Sequence, residues 1–191
     1  LGDVYKRQGG GIELIHSGAL DNNKGNFLSE GDIYFAFDKG VTNSTGEIQS
    51  TKTISIETKE AKVDNISGGN ISADGNVTIN SGEFKNNASY IASKDKLDIQ
   101  TNGKPITNTA TVGEGVGISA TNGIKINSGL FNNKEGQINS KSVIDINTNL
   151  KDFNNIDAYI DASGDISINS GAMNNTHSRL RSVTRVEIDT N

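Results

Sequence analysis

The chain has 191 residues, with 18 Lys and Arg against 23 Asp and Glu, for a formal charge of −5. It holds no block of basic residues, and its apolar runs are far too short to span a bilayer, which argues against nucleic acid as a partner and against membrane insertion. Cysteine is absent, so no disulfide framework can supply stability and repeated packing must do so. With hydrophobic residues at only 32 % the composition would suit disorder if the apolar positions lacked order. They are strictly ordered.

Residues 1–8 share nothing with the rest of the chain and are set aside as a non-native scar or an unstructured lead. Residues 9–191 are expected to form one repeat domain, an internal fragment of a longer chain. The first motif is IHSGALDN at 15–22, and it returns as INSGEFKN at 79–86, INSGLFNN at 126–133 and INSGAMNN at 168–175. Residues 33–43 form an irregular unit. From residue 54 a second motif alternates with the first: IETKEAKVDN at 56–65, IQTNGKPITN at 99–108, INTNLKDFNN at 146–155 and a truncated IDTN at 188–191. Self-similarity at such a period marks a solenoid.

Both motifs end on an asparagine, giving a column of Asn22, Asn43, Asn65, Asn86, Asn108, Asn133, Asn155 and Asn175 spaced 20 to 25 residues apart. Two positions before each stands an apolar residue: Leu20, Val41, Val63, Phe84, Ile106, Phe131, Phe153 and Met173. After each asparagine and a turn comes a hydrophobe followed two later by a small residue, from Phe27/Ser29 and Ile48/Ser50 through to Leu180/Ser182. Four residues beyond every small residue an apolar–x–apolar triplet begins, such as ISI at 54–56, IKI at 124–126 and VEI at 186–188.

Alternation over two or three residues is the mark of a half-buried strand. Three such strands per period, joined by polar corners, predict an all-β parallel β-helix of about eight coils, each advancing by about 4.8 Å. The stacked asparagines are expected to bond one another along the axis, as amides do in cross-β ladders. The insertion TATVGEGVG at 109–117 is the expected protrusion, and Pro105 is tolerable only at the start of its strand.

Candidate chemistry is sparse, and no catalytic residue, cofactor-binding residue or metal ligand is assigned. The outward column of the triplets reads Ser55, Thr78, Asp98, Lys125, Asp145, Ser167 and Glu187. Asp98 and Asp145 two coils apart approach the carboxylate separation of inverting glycosidases, but Lys125 between them reads better as part of an exposed charge ladder. His16 and His177 occupy different coil positions with no third ligand, which argues against a metal. The in-register phenylalanines read as a core stack rather than a sugar platform. Neither a phosphate-binding GxxxxGK[ST] nor a calcium-binding GGxGxDxUx occurs.

The ISI, IKI and IDI triplets, the NSG corners and the Asn-rich second turn resemble the haemagglutinin repeats of filamentous haemagglutinin-like exoproteins of two-partner secretion systems, over essentially residues 12–191. The resemblance implies a right-handed β-helix, an outer-membrane transporter as export partner and a secreted or cell-surface location; uniform repetition with no catalytic cluster argues for no enzymatic activity. The expected role is the shaft of an adhesin that contacts a receptor or glycan on host or neighbouring cells. The stalk of a contact-dependent growth-inhibition protein is the near alternative. A carbohydrate-active β-helix, a polysaccharide lyase, hydrolase or tailspike, is the rival of another class; against it, Arg179, Arg181 and Arg185 crowd the last coil, away from Asp98 and Asp145. Exposed coil ends further predict end-to-end self-association.

Overall fold

The structure is a computed structural model that describes residues 5–8 and 10–190. Every strand is short, and every pairing is parallel and joins a strand to its counterpart one coil away. Three sheets result. Sheet A has nine strands, from Tyr5–Gln8 and Asn26–Ser29 to Arg179–Ser182. Sheet B has nine, from Ile12–His16 to Val186–Thr190, and sheet C has eight, from Leu20–Asp21 to Met173–Asn174. The chain is a β-solenoid of about nine turns, and no helix occurs among the described residues.

The repeated triplets are the strands of sheet B. In Ile54–Glu57 the first and third residues, Ile54 and Ile56, are buried while Ser55 lies outward, as the pleat requires. Register keeps like above like: Ile56, Ile79, Ile99, Ile126, Ile146 and Ile168 form one buried file. Sheet C contributes one large inward residue per coil and sheet A one large and one small, as in Ile48 and Ser50. The three inner faces meet in a single core running the length of the solenoid.

The stack of about nine turns accords with the expected one of about eight, and Ile12–His16 adds a sheet B strand ahead of the recognised triplets. Its sequence, IELIH, breaks the alternation, and Ile15 is exposed. The irregular unit at 33–43 also joins the stack, through Ile33–Phe37 and Val41–Ser44. There Phe27, Phe35 and Phe37 meet edge-on, with ring centroids 5.0 and 6.1 Å apart. Of the segment set aside at the N-terminus, residues 5–8 pair with Asn26–Ser29 in sheet A; ladder pairing asks only for backbone groups, whatever the side chains. Residues 1–4, 9 and 191 lie outside the described residues.

Pro105 immediately precedes the strand Ile106–Thr107, and its carbonyl accepts the amide of Phe84 at 3.1 Å, so no ladder donor is lost. In the 109–117 insertion, Thr111 is buried and bonded to its neighbours while residues 112–115 are exposed.

Candidate functional site

The eight asparagines form the most organised polar array in the molecule. From Asn22 to Asn155, each side-chain amide donates to the amide oxygen of the asparagine one coil further on, in seven bonds of 2.7–2.9 Å that all point the same way. The second amide proton of Asn22, Asn43, Asn65, Asn86 and Asn108 goes to a backbone carbonyl where the chain enters sheet A. These five side chains thus spend both donors inside the protein, and Asn43, Asn65, Asn86, Asn108, Asn133 and Asn155 are fully buried. Such chains of aligned amides polarise one another. In those five asparagines no amide proton is left over for a ligand.

The residue two beyond each asparagine adopts a left-handed conformation: Lys24, Thr45, Ser67, Ala88, Ala110, Glu135, Asp157 and His177, with φ between 49° and 56°. None is glycine, though left-handed backbone costs L-residues roughly 1–2 kcal/mol. The inner wall of the turn is crowded. A Cβ at Gly46, Gly69 or Gly136 would come within 2.0–2.4 Å of an asparagine carbonyl or side-chain oxygen. The chain must turn sharply to bring its next strand against the ladder.

Two further polar columns line the other corners. At the end of sheet A, the hydroxyls of Ser29, Ser50, Ser93 and Ser182 donate to a carbonyl of the preceding coil at 2.7–2.8 Å. Each also accepts the amide two residues on. Sequence reasoning saw only that a small residue was needed there. Between sheets B and C lie buried Thr58, Ser81, Thr101, Ser128, Thr148 and Ser170. The threonines close the longer corner by bonding the carbonyl three residues on, and the serines sit in the shorter NSG corner.

The alternation of motifs has its physical basis here. The corner opened by threonine is two residues longer than the NSG corner and leans over the glycine of the next coil. A Cβ at Gly82 would meet the Glu60 carbonyl at 2.2 Å, and one at Gly129 the Gly103 carbonyl at 2.2 Å. Asn149 of a long corner also reaches back, to the Asn127 side chain at 2.7 Å and the Ser128 carbonyl at 2.8 Å. Long and short corners therefore nest as pairs.

The charged candidates do not converge. Asp98, Lys125 and Asp145 lie in register on three successive strands, with Lys125 between the carboxylates, and Asp98 accepts a bond from Gln100 at 2.7 Å. The expected charge ladder is not an ion-paired one: among the described residues neither Asp98 nor Asp145 is in a salt bridge. Two of the three arginines of the last coil engage other carboxylates. Arg179 grips Asp161 at 2.6 and 3.2 Å and lies 4.9 Å over the Tyr159 ring, and Arg185 meets Glu187 at 2.7 Å. Asp161 holds the Arg179 guanidinium even further above its ordinary range.

His16 accepts the Gly18 amide at 2.8 Å, and His177 lies 3.5 Å from Asp157 near the other end of the chain. Among the described residues no group of three or more His, Cys, Asp or Glu is placed to hold a metal. Phe84, Phe131 and Phe153 are fully buried, and the last two stack with centroids 5.0 Å apart. The hydroxyl of Thr53, then its amide, lowers the Asp32 carboxyl below its usual 3.8. The bond to Asp64 raises Lys62 above its usual range.

The haemagglutinin repeat model matches residues 7–61, 46–111, 97–157 and 145–191. Neither the curated proteins nor the solved structures contain a match. The overlapping matches run from residue 7 to the last residue, and the two alternating corner types recur inside them; this chain belongs to the haemagglutinin repeat family.

Proposed function

We propose that the chain is a length of the shaft of a large secreted or surface-exposed bacterial adhesin, exported in its parent protein by an outer-membrane two-partner-secretion transporter. The supporting observation is regular repetition: the coils stack one continuous core and one asparagine ladder, with two corner types in alternation. Family membership supports the same reading, because haemagglutinin repeats are a structural, adhesin-type family. A stack that repeats at the strand spacing sets reach by coil number, which is what a shaft must do. The inward residues Val186 and Ile188 of the last described strand are 41 % and 46 % exposed, and a further coil or a second chain stacked there would cover them.

Beads coated with the folded chain should adhere to cultured epithelial cells or to neighbouring bacteria above the level of beads carrying the heat-denatured chain. Absence of adhesion would shift the role to a passive spacer, such as the stalk of a growth-inhibition toxin. Release of reducing ends from acidic or neutral polysaccharide by the purified chain would overturn the non-enzymatic reading altogether.

A further inference from the structure

The outward face of sheet A differs from that of sheet B. Its middle outward file reads Ser72, Ala92, Ser119 and Asn139 on four successive strands, all small or short and only partly exposed. The corner residues beside it, including Asp74, Lys94, Thr121 and Lys141, stand along one margin. Three cavities lie along this strip, of about 410, 350 and 290 Å³. The first two share Gln49, Asp74 and Lys94, and the second and third share Ser119, Thr121 and Lys141. They therefore join into one shallow groove from the Leu28 strand to the Arg181 strand, about 34 Å long at the strand spacing.

Charge in the groove is not random. Asp74 is taken by Lys94 at 2.7 Å and Asp161 by Arg179 at 2.6 Å. Lys141 and Arg181, both exposed, are in no ion pair among the described residues. Both stand in the C-terminal half of the groove, where Asp161, the register partner of Arg181, is already held by Arg179. Arg181 stands two coils from Asn139 in register, and Lys141 lies two residues further along the chain than Asn139, which puts the two cations about 12 Å apart. Tyr90 adds an aromatic face at the margin of the middle cavity.

We propose that this groove binds a linear anionic polysaccharide carrying one carboxylate per disaccharide, with Lys141 and Arg181 each meeting a carboxylate and the Ser and Asn floor bonding sugar hydroxyls. An extended peptide is a poor occupant, because strand addition needs an open sheet edge and this face presents backbone already spent on the coils above and below. Nucleic acid carries a phosphate on every nucleotide, every 3.4 Å or so of each strand along a duplex axis, denser than two cations spaced two coils apart can match. The inference rests on the adhesin reading and gives the chemistry of its contact.

The test is titration of the folded chain with hyaluronan decasaccharide, with a dextran oligosaccharide of equal length and a single-stranded DNA oligonucleotide as controls. Hyaluronan should bind, and more tightly than either control. The double variant Lys141→Ala/Arg181→Ala should weaken it roughly tenfold or more, since two charge-assisted bonds are lost. Ser119→Phe and, independently, Asn139→Phe should abolish binding by filling the floor without changing charge, each with a melting temperature near that of the parent. Equal affinity for dextran, tighter binding of DNA, or unchanged hyaluronan binding by the alanine pair or by both folded phenylalanine variants would overturn the proposal. Bead adhesion run in parallel separates the two readings: adhesion that persists without hyaluronan binding removes the groove and leaves the adhesin.

Discussion

At the scale of single residues, the asparagine spine makes the sharpest claims. Asn86 accepts from Asn65 at 2.8 Å and donates to Asn108 at 2.9 Å with no water-facing surface. Asn86→Ala strands one buried donor and one buried acceptor, each costing about 1–3 kcal/mol. The expected loss, read by chemical denaturation, is about 2–5 kcal/mol, whereas alanine at the exposed Asn175 should cost far less. Asn86→Asp adds a pH signature. A buried carboxylate has its pKa raised by desolvation and cannot donate to Asn108, so the variant should be worst near neutrality and recover towards the parent as acid protonates it. A denaturation series from pH 7 to pH 3 checks the sign. Strain offers the opposite result: Leu150 is 60 % exposed at a φ of 61°, in the corner position that Gly103 fills one pair earlier. Leu150→Gly should stabilise the chain by about 1 kcal/mol, by relief of the left-handed penalty.

Asp32 is a separate titration at the surface. Its carboxyl is lowered from 3.8 by the Thr53 hydroxyl and amide, so its contribution to stability is present above pH 4 or so and is lost as pH falls through the lowered value. Acid melts of Asp32→Asn should therefore show a smaller decline than the parent between pH 5 and pH 2.5. An identical decline would mean that the Thr53 contact adds nothing.

At the scale of elements, the nesting of long and short corners ranks the NSG glycines. A Cβ meets carbonyl oxygen at 2.2 Å at Gly82 and Gly129 but at 2.6 Å at Gly171. Alanine at the first two should cost about 3 kcal/mol or more, in the range of backbone clashes, and alanine at Gly171 less; equal costs would contradict the nesting. The sequence made the strands and the spine readable because period-two burial and a buried amide each restrict residue type at every coil. The left-handed turn position was not readable. Lys24, Thr45, Ser67, Ala88, Ala110, Glu135, Asp157 and His177 share no side-chain chemistry, since surrounding backbone imposes their conformation. The strand Ile12–His16 was missed for a related reason: Ile15 faces outward where the pattern calls for a polar residue. The groove on sheet A was also invisible, because outward files of Ser, Ala and Asn carry no period of their own.

At the scale of the molecule, each coil draws its stability from the coils on either side. No single site organises the fold, and in the proposed shaft role function becomes a property of length and of the outer faces. Sheet B turns a mixed charged file outward, sheet A a groove, and the asparagine column runs between sheets C and A with Asn43 to Asn155 buried. The central claim is the stacking register that places all of these. Without native cysteine, it can be read directly by oxidising engineered pairs. Asp98 and Lys125 are register partners on adjacent strands, about 4.8 Å apart and inside the disulfide range. Asp98 and Asp145 lie two coils apart, about 9.6 Å and beyond that range. Asp98→Cys/Lys125→Cys should close an intrachain disulfide while Asp98→Cys/Asp145→Cys stays reduced as a monomer. Closure of the second pair, or failure of the first in a folded chain, would contradict the register and the solenoid built on it.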